Sequence, residues 1–253
     1  MKIGFLGVGH LAASVITGLQ RSGIDPSTVL LAPRGKGQAL AAAHGFALAR
    51  DNADLVARAD LVFLAVRPAD AASAVAGLPW RAGQVLISAC AGVPIAGLAA
   101  GPASIVRAMP LTASEIGASP TVFFPDDPMA RALLSRIGPA IALTGEAEFE
   151  IATVNAAVYG WAQDLIRQSA VWAAAAGGDA ETMRRLAALT FVAAGRMMAE
   201  KDDPMERLLA DLVTPGGITE LGLDRLDAAG QPAAWRAACD AVLARLRKGD
   251  GGG

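Results

Sequence analysis

Lys2-Ile-Gly-Phe-Leu-Gly7-Val-Gly9-His-Leu-Ala12 opens the chain, and its reading decides the fold. A short apolar run, Lys2–Leu6, leads into Gly7-Val8-Gly9-His10-Leu11-Ala12, a GxGxxA pattern that begins a helical run through Ala13–Gln20. Gly7 permits the tight turn, Gly9 lets the backbone approach a pyrophosphate, and Ala12 keeps helix and strand close. The phosphates of a dinucleotide would then sit at the helix N-terminus, against Gly7, Gly9, His10 and Leu11. The pattern alone is weak, but its place between a strand and a helix makes it a cofactor turn.

Outward from this turn, strand-like runs at Val29–Ala32, Leu61–Val66, Val85–Ala89, Ser104–Arg107, Thr121–Phe124 and Ala140–Thr144 alternate with Ala-rich helical stretches. Runs that are apolar throughout, without alternation, are what a parallel sheet covered on both faces requires. The pattern is α/β, a doubly wound sheet of the Rossmann type. After about residue 146 the strand signal stops, and long Ala/Leu/Met-rich segments, broken at Gly177-Gly178 and Asp202-Asp203-Pro204, predict an all-helical second domain. The expected organisation is a nucleotide domain over 1–146, a helical domain over 147–248, and a disordered tail over 249–253, where no apolar residue remains.

The composition narrows the function. Of 253 residues 53% are hydrophobic and 18% charged, an apolar excess that points to an oligomer. A net charge of -2 with no polybasic run excludes a nucleic-acid footprint, and no segment is apolar enough for a membrane: Ile151–Ala176 is interrupted by Asn155, Gln163, Asp164, Arg167 and Gln168. Two distant cysteines, Cys90 and Cys239, with no leader-like start, fit a reduced, cytoplasmic setting. No His/Cys/Asp/Glu cluster has metal spacing, so no metal is expected. His10 belongs to the phosphate turn and His44 to a surface helix, and neither is expected to be catalytic.

The second strand ends near Ala32, where enzymes that prefer NAD place an acid on the ribose 2'-hydroxyl. Here Ala32-Pro33-Arg34-Gly35-Lys36 offers two cations and no carboxylate, so Arg34 favours the 2'-phosphate of NADPH, with NADH as the second choice. Ala65-Val66-Arg67-Pro68 and Ala89-Cys90-Ala91-Gly92 follow later strands, at the carboxyl ends where ligands dock in open α/β sheets. They are expected to line the ribose and nicotinamide, although turn chemistry alone would also explain the Pro and Gly.

Phe63-Leu-Ala-Val-Arg-Pro68, Ile87-Ser-Ala-Cys-Ala-Gly92, Val106-Arg-Ala-Met-Pro110 and Leu212-Val-Thr-Pro-Gly-Gly-Ile-Thr219 resemble, in order and spacing, the motifs of pyrroline-5-carboxylate reductases over nearly the full length. That resemblance implies an NAD(P)H-dependent oxidoreductase acting on C=N, which reduces a small carboxylated cyclic imine to proline. It implies a homodimer interlocked through the C-terminal helices, with a larger oligomer left open, and it adds Met109 and Pro110 to the cofactor lining. Thr214-Pro-Gly-Gly-Ile-Thr219 precedes a helical run, so its N–H groups converge at a helix start and suit a carboxylate. By resemblance Thr214, Gly216, Gly217 and Ile218 grip the substrate carboxylate, and the Thr219 hydroxyl lies by the imine nitrogen. The alternative is a Thr-capped helix with Pro215 at its first position.

Two departures from the family stand out. Its Met-Pro-Asn-Thr-Pro becomes Met109-Pro-Leu-Thr-Ala113, and its Ser-Gly-Ser-Gly-Pro-Ala-Tyr segment at the start of the interface helix becomes Asn155-Ala-Ala-Val-Tyr-Gly-Trp161. The second change puts the chain's one tyrosine, Tyr159, at the pocket, either as a proton donor or as interface packing. It also predicts poor turnover of pyrroline-5-carboxylate beside some other small carboxylated imine or carbonyl compound. A protein that binds NADP without catalysis is the remaining alternative. The lysines, only Lys2, Lys36, Lys201 and Lys248, leave the long helix without the catalytic lysine of the β-hydroxyacid dehydrogenases.

Overall fold

The computed structural model describes residues 1–249. Contacts divide them into two units, one of Met1–Ala156 with the chain from Val242 onward, the other of Ala157–Ala241. Of the tail expected to be disordered over 249–253, Gly249 is described, its N–H donating to the Leu246 carbonyl at 3.2 Å, and 250–253 lie outside the described residues.

In the first unit the strands are β1 (Ile3–Leu6), β2 (Val29–Leu31), β3 (Ala47–Leu48), β4 (Leu61–Leu64), β5 (Val85–Ser88), β6 (Ser104–Met109), β7 (Thr121–Phe124) and β8 (Ala140–Ala142). They form one sheet in the order β3-β2-β1-β4-β5-β6-β7-β8, parallel throughout except between β6 and β7. Every residue of β1, β2, β4 and β5 is buried, which is why these strands read as unbroken apolar runs. Helices α1 (His10–Arg21), α2 (Gly37–His44), α3 (Asn52–Arg58), α4 (Ala71–Val75) and α5 (Pro128–Leu134) complete this part. The core forms two apolar clusters, one around Phe5, Val15, Leu19, Phe63 and Ile87, the other around Leu6, Leu55, Val62, Trp80 and Leu86. Successive residues of one strand thus feed opposite faces of the sheet. The chain winds from β1 to β3 in one direction and from β4 to β6 in the other, so the strand order reverses between β1 and β4. A crevice opens there at the carboxyl ends.

Helix α6 (Glu146–Ala175) begins in the first unit, where Phe149, Thr153 and Val154 are buried, and continues into the second. Its first turns hold an ion cluster. Arg107 of β6, 1% exposed, pairs through Nη1 with Glu146 at 3.0 Å and Glu150 at 2.6 Å. The second unit adds α7 (Ala180–Glu200), α8 (Met205–Leu212), α9 (Ile218–Ala228) and α10 (Gln231–Arg247), whose end returns to the first unit. None of these four helices contains a fully buried residue. Large apolar side chains are correspondingly exposed, among them Trp172 at 73% and Ile218 at 91%. No helix among the described residues is long and apolar enough to cross a membrane.

Gly18, inside α1, is where this helix meets the 3-10 turn Thr112–Ile116. A Cβ there would overlap the Ser114 carbonyl oxygen, which as backbone cannot swing aside. Glycine in a helix interior ordinarily costs about 0.5–1 kcal/mol relative to alanine. Gly18→Ala should reverse that sign and destabilise the protein by about 1–3 kcal/mol. Urea unfolding measures the change, and a stabilised variant would refute the close packing.

Candidate active site

Four parallel strands, β1, β4, β5 and β6, bring their carboxyl ends to one edge of the sheet. After β1, Gly7 has φ +88°, and a Cβ on it would stand 2.6 Å from Val66 Cγ1 and 2.8 Å from the Ala65 carbonyl oxygen. The turns after β1 and β4 therefore lie directly against one another. At Gly9 nothing lies within 4 Å of the position a Cβ would take. The backbone there faces open space. Gly9 caps α1 without a side-chain hydrogen bond, and the first turn, beginning His10-Leu11, contains no acidic residue. The turn thus brings no acidic residue of its own to its N–H groups, as suits a phosphate site.

The loop after β2 is held onto this turn. Gly35, at φ +69°, forms a bridge with Val8, and the Lys36 N–H donates to the Val8 carbonyl at 2.8 Å. A Cβ at Gly35 would stand 2.7 Å from that same oxygen, so glycine permits the approach. Arg34 and Lys36, both exposed, are thereby set at the rim of the phosphate turn with no carboxylate in the stretch 32–37. These residues fit a dinucleotide carrying a 2'-phosphate.

Farther along the edge, Arg67 Nε donates to Asp70 at 2.9 Å beside Pro68. Ala89 and Cys90 are buried after β5, and Cys90 Sγ donates to the Val66 carbonyl at 3.5 Å. Burial pushes this thiol up from its ordinary pKa, so it is not a ready nucleophile. Met109, which ends β6, and Pro110 after it are both buried and are braced from behind. The Leu111 N–H donates to Ser119 Oγ at 2.8 Å, Ser119 Oγ is 3.0 Å from Thr121 Oγ1, and Ser114 Oγ donates to the Leu111 carbonyl at 2.6 Å. This hydroxyl bracket is absent from the sequence reading, and its signal was the recurrence of Ser and Thr after Pro110.

In the second unit, Thr214, Gly216 and Gly217 lie in the turn between α8 and α9, and Ile218 and Thr219 begin α9. The Gly217 N–H donates to the Thr214 carbonyl at 2.8 Å, and Gly216 has φ +73°. The alternative of a Thr-capped helix with Pro215 at its first position does not hold. Helix α9 starts at Ile218, capped by Gly217, and no side chain bonds at that cap. Glu220 instead reaches back, its Oε2 accepting from the Gly216 N–H at 2.7 Å. Tyr159 lies half-buried on α6, which runs unbroken through 155–161. Trp161 from the same segment packs edge-on against Trp235, ring centres 5.3 Å apart. The segment 155–161 thus forms part of a continuous helix, with Trp161 as its packed aromatic.

Residues 2–92 match the family model described as NADP oxidoreductase coenzyme F420-dependent, and 147–249 match that described as pyrroline-5-carboxylate reductase dimerisation. The chain is 30% identical over 260 residues to the pyrroline-5-carboxylate reductase of Pseudomonas aeruginosa, covering 96% of this chain and 95% of that one. Two solved structures share the fold at 22% identity, each match covering 98% of both chains. They are the Streptococcus pyogenes 1-pyrroline-5-carboxylate reductase, TM-score 0.87, and the Plasmodium falciparum pyrroline carboxylate reductase with NADP bound, TM-score 0.84.

With Arg34 at the rim of the phosphate turn, NADPH should bind more tightly than NADH. A hydrogen bond to a charged group is worth about 1.5–3 kcal/mol, and Arg34→Ala should erase most of the preference. Titration of both cofactors into both proteins measures this, and equal affinities in the unsubstituted protein would refute it.

Proposed function

The chain belongs to the pyrroline-5-carboxylate reductase family, and from that premise we propose that it reduces pyrroline-5-carboxylate, a small carboxylated cyclic imine, to proline with NADPH. The observation that carries this reading is that one chain holds both an uncontested phosphate turn beside two cations and the Thr214–Thr219 turn at a helix start. The activity is that of an oxidoreductase acting on C=N, and it belongs to proline biosynthesis.

NADPH, when bound, would supply the hydride that turns the CH=N carbon into CH2, while the proton on nitrogen comes with the protonated imine or, ultimately, from water. Gly7, Gly9, His10 and Leu11 hold its diphosphate by backbone N–H groups, and Arg34 holds the 2'-phosphate. Ala65, Val66, Arg67, Pro68, Ala89, Met109 and Pro110 line its ribose and nicotinamide. Thr214, Gly216, Gly217 and Ile218 receive the substrate carboxylate, where the partial positive charge of α9 adds to the hydrogen bonds. The Thr219 hydroxyl lies by the imine nitrogen and accepts from its N–H when the imine is protonated, and Tyr159 is the proton donor for an imine that arrives neutral. A cyclic imine is basic enough to arrive protonated, so no strong acid is required. The work of the protein is to orient.

The same reading includes a homodimer joined through the C-terminal helices, in the cytoplasm, where both cysteines are free thiols. It is supported by the dimerisation match and by the exposed apolar side chains of α6 to α9. The sequence departures favoured a different imine, and the reductase relatives weigh against that reading.

Steady-state assay with saturating NADPH should give kcat/KM for pyrroline-5-carboxylate of about 10⁴ M⁻¹s⁻¹ or more. Thr219→Val should lower kcat by about 10–100-fold. Absence of turnover, with activity on another imino acid, would overturn the substrate. Light scattering at micromolar concentration should show a dimer, and a stable monomer would refute the interface.

A further inference from the structure

We propose that Glu220 is a built-in rival for the substrate carboxylate, setting how tightly the Thr214–Thr219 turn grips a carboxylated imine and how far it prefers one to an uncharged imine. The inference rests on the reading that this turn receives the carboxylate. Glu220 is the third residue of α9, and its Oε2 accepts from the Gly216 N–H at 2.7 Å, the length of a charge-assisted bond. Gly216 is one of the donors assigned to the substrate. A carboxylate cannot use that N–H while Glu220 holds it, and two carboxylates at one helix start repel each other.

The contrast with α1 supports the assignment. Both helices begin at a glycine with no side-chain cap, yet the first turn of α1 contains no acid and that of α9 contains Glu220. The diphosphate turn is left clear, and the carboxylate turn is already half-neutralised by its own chain. If Glu220 were only a brace for the loop, its removal would loosen the site and weaken substrate binding. A rival predicts the opposite sign.

The test compares the full-length protein with Glu220→Ala and Glu220→Gln, at saturating NADPH, on pyrroline-5-carboxylate and on 1-pyrroline, the same ring without the carboxylate. The KM for pyrroline-5-carboxylate should fall about tenfold in the alanine variant and less in the glutamine variant, which keeps an acceptor but loses the charge. The KM for 1-pyrroline should move less than about twofold, so the kcat/KM ratio of the two imines rises. An unchanged or higher KM for pyrroline-5-carboxylate in both folded variants overturns the rivalry and leaves the proposed function standing. An unsubstituted protein inert toward pyrroline-5-carboxylate overturns the function and this inference with it.

Discussion

A guanidinium with almost no access to water sits between the sheet and the long helix, and the placement of both depends on it. Arg107 is 1% exposed, and isolating its charge would be prohibitive without the two carboxylates, Glu146 and Glu150, that converge on its Nη1. Its Cζ lies 4.5 Å from the centre of the Phe149 ring, a cation–π contact from the same helix turn. Glu146 also accepts from the Ile95 N–H at 2.8 Å, so one carboxylate ties the loop after β5 to α6 as well. Removing one partner from such a buried pair typically costs about 3–5 kcal/mol, far more than the intact pair contributes. The cluster therefore fixes register more than it adds stability. Met109 and Pro110 lie two and three residues beyond Arg107, so this ion cluster positions the edge that the nicotinamide is proposed to meet.

That cluster also shows where the sequence stops being legible. The phosphate turn and seven strands can be read because their signals are local: a glycine spacing, or a run of apolar residues with the length of a strand. Arg107 carries a charge in an otherwise apolar run, and a sequence reading ends the strand there, whereas β6 continues to Met109 because partners distant in sequence neutralise the charge. β3 is two residues long and has no period to detect. The hold of Ser119 on Leu111, or of Val8 on Lys36, is likewise a contact between separate segments. Thr214–Thr219 was recognisable by its residues, but which of them caps α9 was not. Gly217 takes the cap position and Glu220 takes over the hydrogen bonding, with Pro215 ahead of the helix and outside it.

The two units solve the problem of burial differently, and the difference bears on function. The sheet of the first unit is covered on both faces and has apolar clusters of its own. The second unit places the proposed substrate turn among helices with no fully buried residue, so its apolar faces find little cover among the described residues. Apolar area left in water forfeits about 25 cal/mol per Å² relative to burial, and helices of this composition gain their stability from packing more than from propensity. On the proposed dimer, the partner supplies that cover. The rigidity of the proposed carboxylate turn is then a property of the assembly, whereas the proposed cofactor turn is held by the first unit's own core. Such a protein can retain a formed nucleotide site under dilution while losing the geometry that orients the imine. Assembly thus becomes a condition for catalysis even if no partner side chain touches the reacting atoms, because misplacing them by about 1 Å can cost on the order of a hundredfold in rate.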